Sequence, residues 1–284
     1  MTAKIIDGKK IADKILDNIK SKVKNSKEKP GLALVLVGNN PASEIYVNFK
    51  EKTCKEAGFY CERYNLDKET NELDLLKLVN DLNQKPNIHG ILVQLPLPKQ
   101  IDENLITNSI LPHKDVDGFT SVSLGHLFSE NTIIAPATAR AVLHLIESTG
   151  VDIEGRNAVV VGRSNIVGKP VAMMLLEKNA TVTICHSRTK NMAEHTRKAD
   201  ILVVAAGKPK LITKDMVKEG AVVIDVGINR VDGKVVGDVD FENVKEIAGF
   251  ITPVPKGVGP MTIAMLMENT LKAMELAGKI SGKS

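Results

Sequence analysis

The apolar positions of this chain fall into two rhythms. Short, near-continuous apolar runs at 32–38 (LALVLVG), 88–95, 158–161, 201–205 and 222–226 predict strands buried on both faces. Glu62–Leu66 and Thr181–Cys185 predict two more. Longer stretches of mixed polarity predict helices over 41–57, 72–82, 136–149, 171–179 and 261–277. Gly150 is placed to cap the third of these. In the second half, strands recur roughly every twenty residues with helical segments between the first ones, the rhythm of parallel βαβ units. The expected fold class is α/β with two domains, the final helix packing back onto the first. A lysine-rich stretch at 19–29 reads as solvated chain.

Composition narrows the class without naming it. The 284 residues are enough for two domains, and 25% charged with 43% hydrophobic residues suits a soluble globular protein. The net charge of +4 is small and its lysines and arginines are scattered among acids, which argues against a nucleic-acid partner. No apolar run approaches a membrane span, and MTAKIIDGKK lacks a signal-peptide core. Of the three cysteines, Cys54 and Cys61 lie seven apart and Cys185 stands alone, a spacing that matches neither a zinc site nor a disulfide scaffold. The six histidines form no ligand cluster, so no metal is expected. A cytoplasmic location follows as the expectation.

Candidate chemistry in the first half begins at NNPASEIYVNFKEK. Asn40 is a plausible N-cap with Pro41 at the first helical position, which places Tyr46 and Lys50 at i and i+4 on one face. Such a pair also serves as an ordinary snorkelling surface pair. Two segments weigh against that. The strand in HGILVQLPLP ends in Gln94, and the carboxyl ends of strands are where open α/β sheets bind ligands. In HKDVDGF, Asp115 and Asp117 flank Val116 before Gly118, which reads as an Asp–Gly turn or as a pair of ligand-facing acids.

In the second half, NAVVVGRSNIVGKP runs from a buried strand through a glycine turn into a helix. Gly162 and Gly168 bound that turn. A strand, turn and helix N-terminus in this order suit a phosphate group, although Ser164 breaks the G-x-G-x-x-G spacing. In dinucleotide folds an acid about twenty residues later holds the ribose of NAD. Here the next strand ends in His186-Ser187-Arg188, with no acid. Arg163 and Ser187 match a 2′-phosphate, so NADP is favoured; Arg188 reads as a solvated loop residue.

Taken in order, Y-x-x-x-K (46–50), V-Q-L-P-L-P (93–98), K-D-V-D-G (114–118), V-V-G-R-S-x-I-V-G-x-P (160–170), V-x-D-V-G-I-N (223–229), V-G-D-V (236–239) and T-P-V-P-x-G-V-G-P-M-T (252–262) carry a resemblance. The chain resembles the bifunctional methylenetetrahydrofolate dehydrogenase/methenyltetrahydrofolate cyclohydrolase family from about Asp7 to the last helix. The resemblance implies a folate-binding catalytic domain (1–135 plus 262–284) and a Rossmann-like NADP-binding domain (136–261). It implies oxidation of 5,10-methylenetetrahydrofolate with NADP, or with NAD in some members, followed by hydrolysis of the methenyl cation to 10-formyltetrahydrofolate. By similarity Tyr46 stacks on the folate, Lys50 is the catalytic lysine, Gln94 partners it and Asp117 hydrogen-bonds the pterin. Val93, Leu95, Pro255, Gly257 and Gly259 line the folate site, and the 255–259 loop closes over it. Gly162, Arg163, Ser164, Ser187 and Ile228 line the cofactor site. A homodimer through the cofactor domain is implied as well.

The residue chemistry leaves two roles open for Lys50: an acid/base with a depressed pKa, or a charged group that orients substrate or water. Two positions depart from the family pattern. Ala137 and Ala139 stand where P-C-T-P is usual, and Lys256 replaces the first glycine of P-G-G-V-G-P. Lys256 meets either the glutamate tail of the folate or solvent. Another NADP-linked α/β oxidoreductase, or a family member with dehydrogenase activity alone, are the competing readings.

Overall fold

The computed structural model describes residues 2–130, 132 and 134–280. In chain order its elements are β1 (Lys4–Ile5), α1 (Gly8–Lys24), β2 (Gly31–Val37), α2 (Pro41–Glu56), β3 (Tyr60–Leu66), α3 (Glu72–Gln84) and β4 (Gly90–Val93). There follow α4 (Glu103–Ser109), α5 (Ser121–Phe128), α6 (Ala137–Glu147), β5 (Asn157–Val161), α7 (Gly168–Glu177), β6 (Thr181–Cys185), α8 (Met192–Thr196) and β7 (Ile201–Val204). The last are β8 (Val222–Asp225), β9 (Asn229–Val231), β10 (Lys234–Val236), α9 (Phe241–Val244), β11 (Phe250–Ile251) and α10 (Val258–Ile280). The chain divides into two compact units, 14–137 with 263–284 and 1–13 with 138–262.

The first unit is built on a parallel sheet ordered β3-β2-β4. Every residue of β2 is buried, as a central parallel strand requires. Val35, Val37 and Ile91 pack with Leu75, Val79 and Leu82 of α3. Helix α10 belongs to this unit from Ile263 onward. Its wholly buried Asn269 donates to the carbonyls of Val116 (2.8 Å) and Ala135 (3.0 Å), so a polar side chain on the last helix pins two loops by satisfying their carbonyls. The final helix therefore returns to the first domain as the sequence predicts.

The second unit holds a parallel sheet ordered β1-β11-β8-β7-β5-β6. Its core is formed by Val159, Val161, Leu202, Val204, Val223 and Ile251. The order reverses at β5, with β6 on one side and β7 on the other, so the carboxyl ends of β5 and β7 flank the switch point where such sheets bind ligands. A small antiparallel hairpin, β9–β10, turns at Asp232 (φ 48°) and Gly233 (φ 74°), the left-handed pair that a two-residue hairpin turn demands.

Two expectations need correction. Residues 1–13 cluster with the second unit rather than the first, because β1 pairs parallel with β11 at Lys4↔Phe250 and Ile5↔Ile251. The lysine-rich 19–29 stretch is not all solvated chain. Its first part ends α1, whose Ala12, Ile19 and Val23 are buried while its lysines face out.

Candidate functional site

Helix α2 starts as expected. The Asn40 side chain accepts from the N–H groups of Ala42 (2.9 Å) and Ser43 (3.3 Å), with Pro41 in the first turn. The cap sets the phase of the helix, and Val47 and Cys54 are wholly buried on its inner face. Lys50 falls on that side and is only 8% exposed, while Tyr46 one turn earlier is half-buried. Ile45 and Phe49 point outward. A lysine this buried needs a partner for its head group.

Gln94 is that partner. The β2–β4 register pairs Val35 with Val93, and the next N–H, from Gln94, donates to the Val35 carbonyl (2.8 Å). The side chain just past the strand end then accepts from Lys50 Nζ through Oε1 at 3.0 Å. Its Nε2 donates to the Leu95 carbonyl at 2.8 Å, which fixes the amide orientation. The Leu95–Pro96 peptide is cis. Val93 itself points into the hydrophobic core, so only its backbone is available to a ligand.

The two acids of K-D-V-D-G separate into distinct roles. Asp115, 1% exposed, accepts at Oδ1 from the N–H groups of Gly118 (3.0 Å) and Phe119 (3.2 Å). At Oδ2 it accepts from Thr120 N–H (2.8 Å) and Ser123 Oγ (2.7 Å). It is a loop clamp. Gly118 adopts φ 73°, and a Cβ there would lie 2.6 Å from Pro136 N, so only glycine fits. The clamp leaves the Asp117 carboxylate with no hydrogen bond among the described residues. Asp117 and Lys50 influence each other electrostatically. Burial pulls the Lys50 amine below its ordinary value, and Asp117 only partly offsets this. Burial lifts the Asp117 carboxyl, with Asp115 adding to the rise and Lys50 opposing it.

Asp115→Ala should lower unfolding stability by about 3 kcal/mol or more, since it removes four hydrogen bonds and leaves the Thr120 N–H and the Ser123 hydroxyl, both buried, without this acceptor. Asp117→Ala should leave denaturant unfolding nearly unchanged, since its carboxylate makes no hydrogen bond among the described residues. Equal stability losses in the two variants would refute the division.

In the second unit, Gly162 follows β5 with φ 137°, and a Cβ there would lie 2.3 Å from the Ala205 carbonyl. A Cβ on Gly168 would lie 2.3 Å from the Gly162 carbonyl. The turn is therefore as tight as a backbone cradle requires. At the start of α7, two of the N–H groups are already taken. Ser164 Oγ accepts from the N–H groups of Val167 (3.2 Å) and Gly168 (3.3 Å), so the serine closes the turn that leads into the helix. The N–H groups of Ser164, Asn165 and Ile166 carry no hydrogen bond among the described residues and remain for an anion. The pair Val161↔Cys185 puts Arg163 and Ser187 two residues beyond matched positions on neighbouring strands. Both are exposed, and Arg163 makes no ion pair among the described residues. Arg188 is exposed too, its N–H donating to His186 Nδ1 at 3.1 Å. Ile228 is 48% exposed in the turn after β8. This donor set, with no acid at the end of β6, fits a dinucleotide that carries an extra phosphate.

The last segment predicted for the site is partly helical. Val258 opens α10, so Gly259 sits in its first turn rather than in a loop. Pro255 is exposed after a cis peptide, and a Cβ on Gly257 would lie 2.5 Å from the Pro253 carbonyl. Lys256 is exposed at φ 82°, in the left-handed region. Its carbonyl accepts from Lys9 N–H at 3.0 Å, which holds the loop in this shape. Lys256→Gly should stabilise the fold by about 0.5–1 kcal/mol, the relief of left-handed strain less the entropy glycine adds to the unfolded chain. A lower urea midpoint for this variant would refute the strain.

Sequence reasoning missed two further acids. Asp225 (3% exposed) accepts from the N–H groups of Gly227 (3.0 Å), Asp238 (2.9 Å) and Val239 (2.9 Å). Burial, with Asp238 beside it, pushes its carboxyl up to about 6 against the pull of those N–H groups. Asp238 is wholly buried. Both lie in motifs quoted above, and glycines beside each were the available signal. Among the described residues, no three or more His, Cys, Asp or Glu side chains are placed to hold a metal ion, and no helix is long and apolar enough to cross a membrane.

Comparison with known proteins agrees over both units. Residues 6–117 match the model of the tetrahydrofolate dehydrogenase/cyclohydrolase catalytic domain, and residues 136–278 match that of its NAD(P)-binding domain. The bifunctional protein FolD of Nitrosospira multiformis is 55% identical over 281 residues, covering 98% of each chain. The solved structure of the bifunctional FolD of Campylobacter jejuni superposes with a TM-score of 0.94 at 48% identity, covering 96% of this chain and 99% of the other. The Trypanosoma brucei enzyme, solved with NADP and an inhibitor, gives a TM-score of 0.94 at 38% identity, covering 100% of both chains. The chain belongs to the tetrahydrofolate dehydrogenase/cyclohydrolase family.

Proposed function

We propose that this protein oxidises 5,10-methylenetetrahydrofolate to the methenyl cation with NADP and then hydrolyses that cation to 10-formyltetrahydrofolate. The observation that carries the second step is the buried Lys50 amine held at 3.0 Å by Gln94 beside the unclamped Asp117. Asp117 accepts from the ring N–H and amino donors of the pterin, and the Tyr46 face supports its flat ring. When bound, the dinucleotide accepts a hydride from the methylene carbon. The protein's part in that step is positioning, since no base is needed to release a hydride.

Hydrolysis asks more of the side chains. Water must lose a proton as it adds to the amidinium carbon, and the N5–carbon bond must gain a proton at nitrogen as it opens. Dehydration of Lys50 favours its neutral amine, which has a lone pair for the first proton while an N–H still donates to Gln94. Lys50 returns that proton to N5 as the N5–carbon bond breaks, and the hydroxyl proton lost as the formyl C=O forms leaves to solvent, so one proton is released per turnover. Of the two roles left open above, the lowered pKa supports acid/base.

The preference for NADP over NAD is supported by Arg163, Ser187 and the missing acid after β6, and by the NADP bound to the Trypanosoma brucei relative. A cytoplasmic homodimer is supported by the family resemblance. The test is to supply purified protein with 5,10-methylenetetrahydrofolate and NADP. NADPH fluorescence should rise only when both substrates are present, and its absence would remove the proposal.

A further inference from the structure

The loops at the carboxyl ends of β7 and β8 are tied to one buried carboxylate. Asp238 Oδ2 accepts from the N–H groups of Ala206 (2.6 Å) and Gly207 (2.8 Å). Its Oδ1 accepts from Lys208 N–H (2.8 Å) and from Asn229 Nδ2 (2.8 Å). Three consecutive N–H groups converging on an anion form a nest of the kind that usually binds an external anion. Here the chain fills it with its own side chain. Asp238 is in turn held by Asp225, which takes its N–H at 2.9 Å. Nothing larger fits around the pair. A Cβ on Gly227 would lie 2.2 Å from Asp238 Cγ, and one on Gly237 would lie 1.8 Å from Asp225 Oδ2.

What the nest holds in place is the wall of the switch point. Ala205 N–H donates to the Val161 carbonyl at 2.7 Å, and the Ala205 carbonyl is the atom that leaves no room for a Cβ on Gly162. The 205–208 loop thus abuts the first residue of the phosphate turn. Asn229 ends the turn that presents Ile228. One carboxylate fixes both loops relative to each other, from a wholly buried position that a ligand never touches.

We infer that Asp238 is a positioning residue for dinucleotide binding, holding the 205–208 and 226–229 loops in the one arrangement that lets a dinucleotide lie across the ends of β5 and β7. The inference rests on the NADP reading above and deepens it. It makes a separation that a general structural role would not. Methenyl hydrolysis uses no dinucleotide, and Lys50, Gln94 and Asp117 belong to the other unit.

Titration calorimetry with NADP on the full-length protein tests this alongside the hydrolysis rate of supplied methenyltetrahydrofolate. Asp238→Asn keeps the shape but turns an amide donor toward the nest. It should raise the Kd for NADP about tenfold or more while hydrolysis stays within about twofold of wild type. Asn229→Ala removes one of the four bonds and should raise the Kd about threefold; it decides the matter alone if Asp238→Asn does not fold. Wild-type binding with unchanged Kd in the folded variants overturns the inference, as does a parallel fall in hydrolysis. A wild-type protein that binds no NADP overturns the cofactor reading, and this inference with it.

Discussion

Lys50→Met should lower methenyl hydrolysis by about 10²- to 10⁴-fold, the range that a positioned acid/base contributes. Methionine fills nearly the same buried volume without a charge to desolvate, so the helix should remain in place. NADP-linked oxidation should fall by less than about tenfold, because that step depends on positioning and not on proton transfer. The methenyl cation should then accumulate where wild type consumes it. In wild type the hydrolysis rate should rise with pH and level off below the ordinary lysine value of 10.5, since burial lowers the pKa and the proposed base is the neutral amine. A rate that falls as the lysine loses its proton would mean that the charged form acts. A variant with near-normal hydrolysis would remove the assignment.

Wild type should prefer NADP to NAD in kcat/KM by about 10- to 100-fold, and Arg163→Ala should erase most of that preference. The reason is local charge. Arg163 stands exposed with no acid to pair with among the described residues, and the matched register brings Ser187 alongside on the next strand. A 2′-phosphate offers oxygens to both. NAD offers only a hydroxyl, and no carboxylate follows β6 to accept from it. The loss in Arg163→Ala should therefore fall on NADP and leave NAD within about threefold. Equal losses with the two cofactors would show that Arg163 serves the shared pyrophosphate instead.

Much of this architecture is legible in the chain because local chemistry agrees with the fold. The Asn40–Pro41 cap fixes the phase of α2, and that phase alone puts Tyr46 and Lys50 on one face. Apolar runs such as 158–161 and 201–204 are buried strands as their composition requires. What is not legible is long-range. Nothing near Lys4 announces a partner at Phe250, so the N-terminal strand is assigned to the wrong domain until the pairing is seen. Alternating lysines dilute the apolar stripe of α1, although Ile11, Ile15, Ile19 and Val23 carry it.

The site shows the same division. Lys50 and Gln94 are readable by type and position, but their 3.0 Å contact depends on the β2–β4 register. Asp115 and Asp117 look alike in K-D-V-D-G, and only the four donors around Asp115 assign it to structure. Ser164 reads as a weak fingerprint glycine, yet its hydroxyl is what closes the turn into α7. Asp225 and Asp238 are hidden because, apart from Gly227 N–H, their donors lie 9 to 32 residues away in sequence.

One time course separates NADP-linked oxidation from lysine-centred hydrolysis. Wild-type protein is given 5,10-methylenetetrahydrofolate and NADP, and NADPH, the methenyl cation and 10-formyltetrahydrofolate are followed together. NADPH and 10-formyltetrahydrofolate should rise in equal amounts, the methenyl cation staying low because it is consumed faster than buffer alone hydrolyses it. NADPH formation with the methenyl cation building up and decaying only at the buffer rate would contradict a lysine-centred second activity.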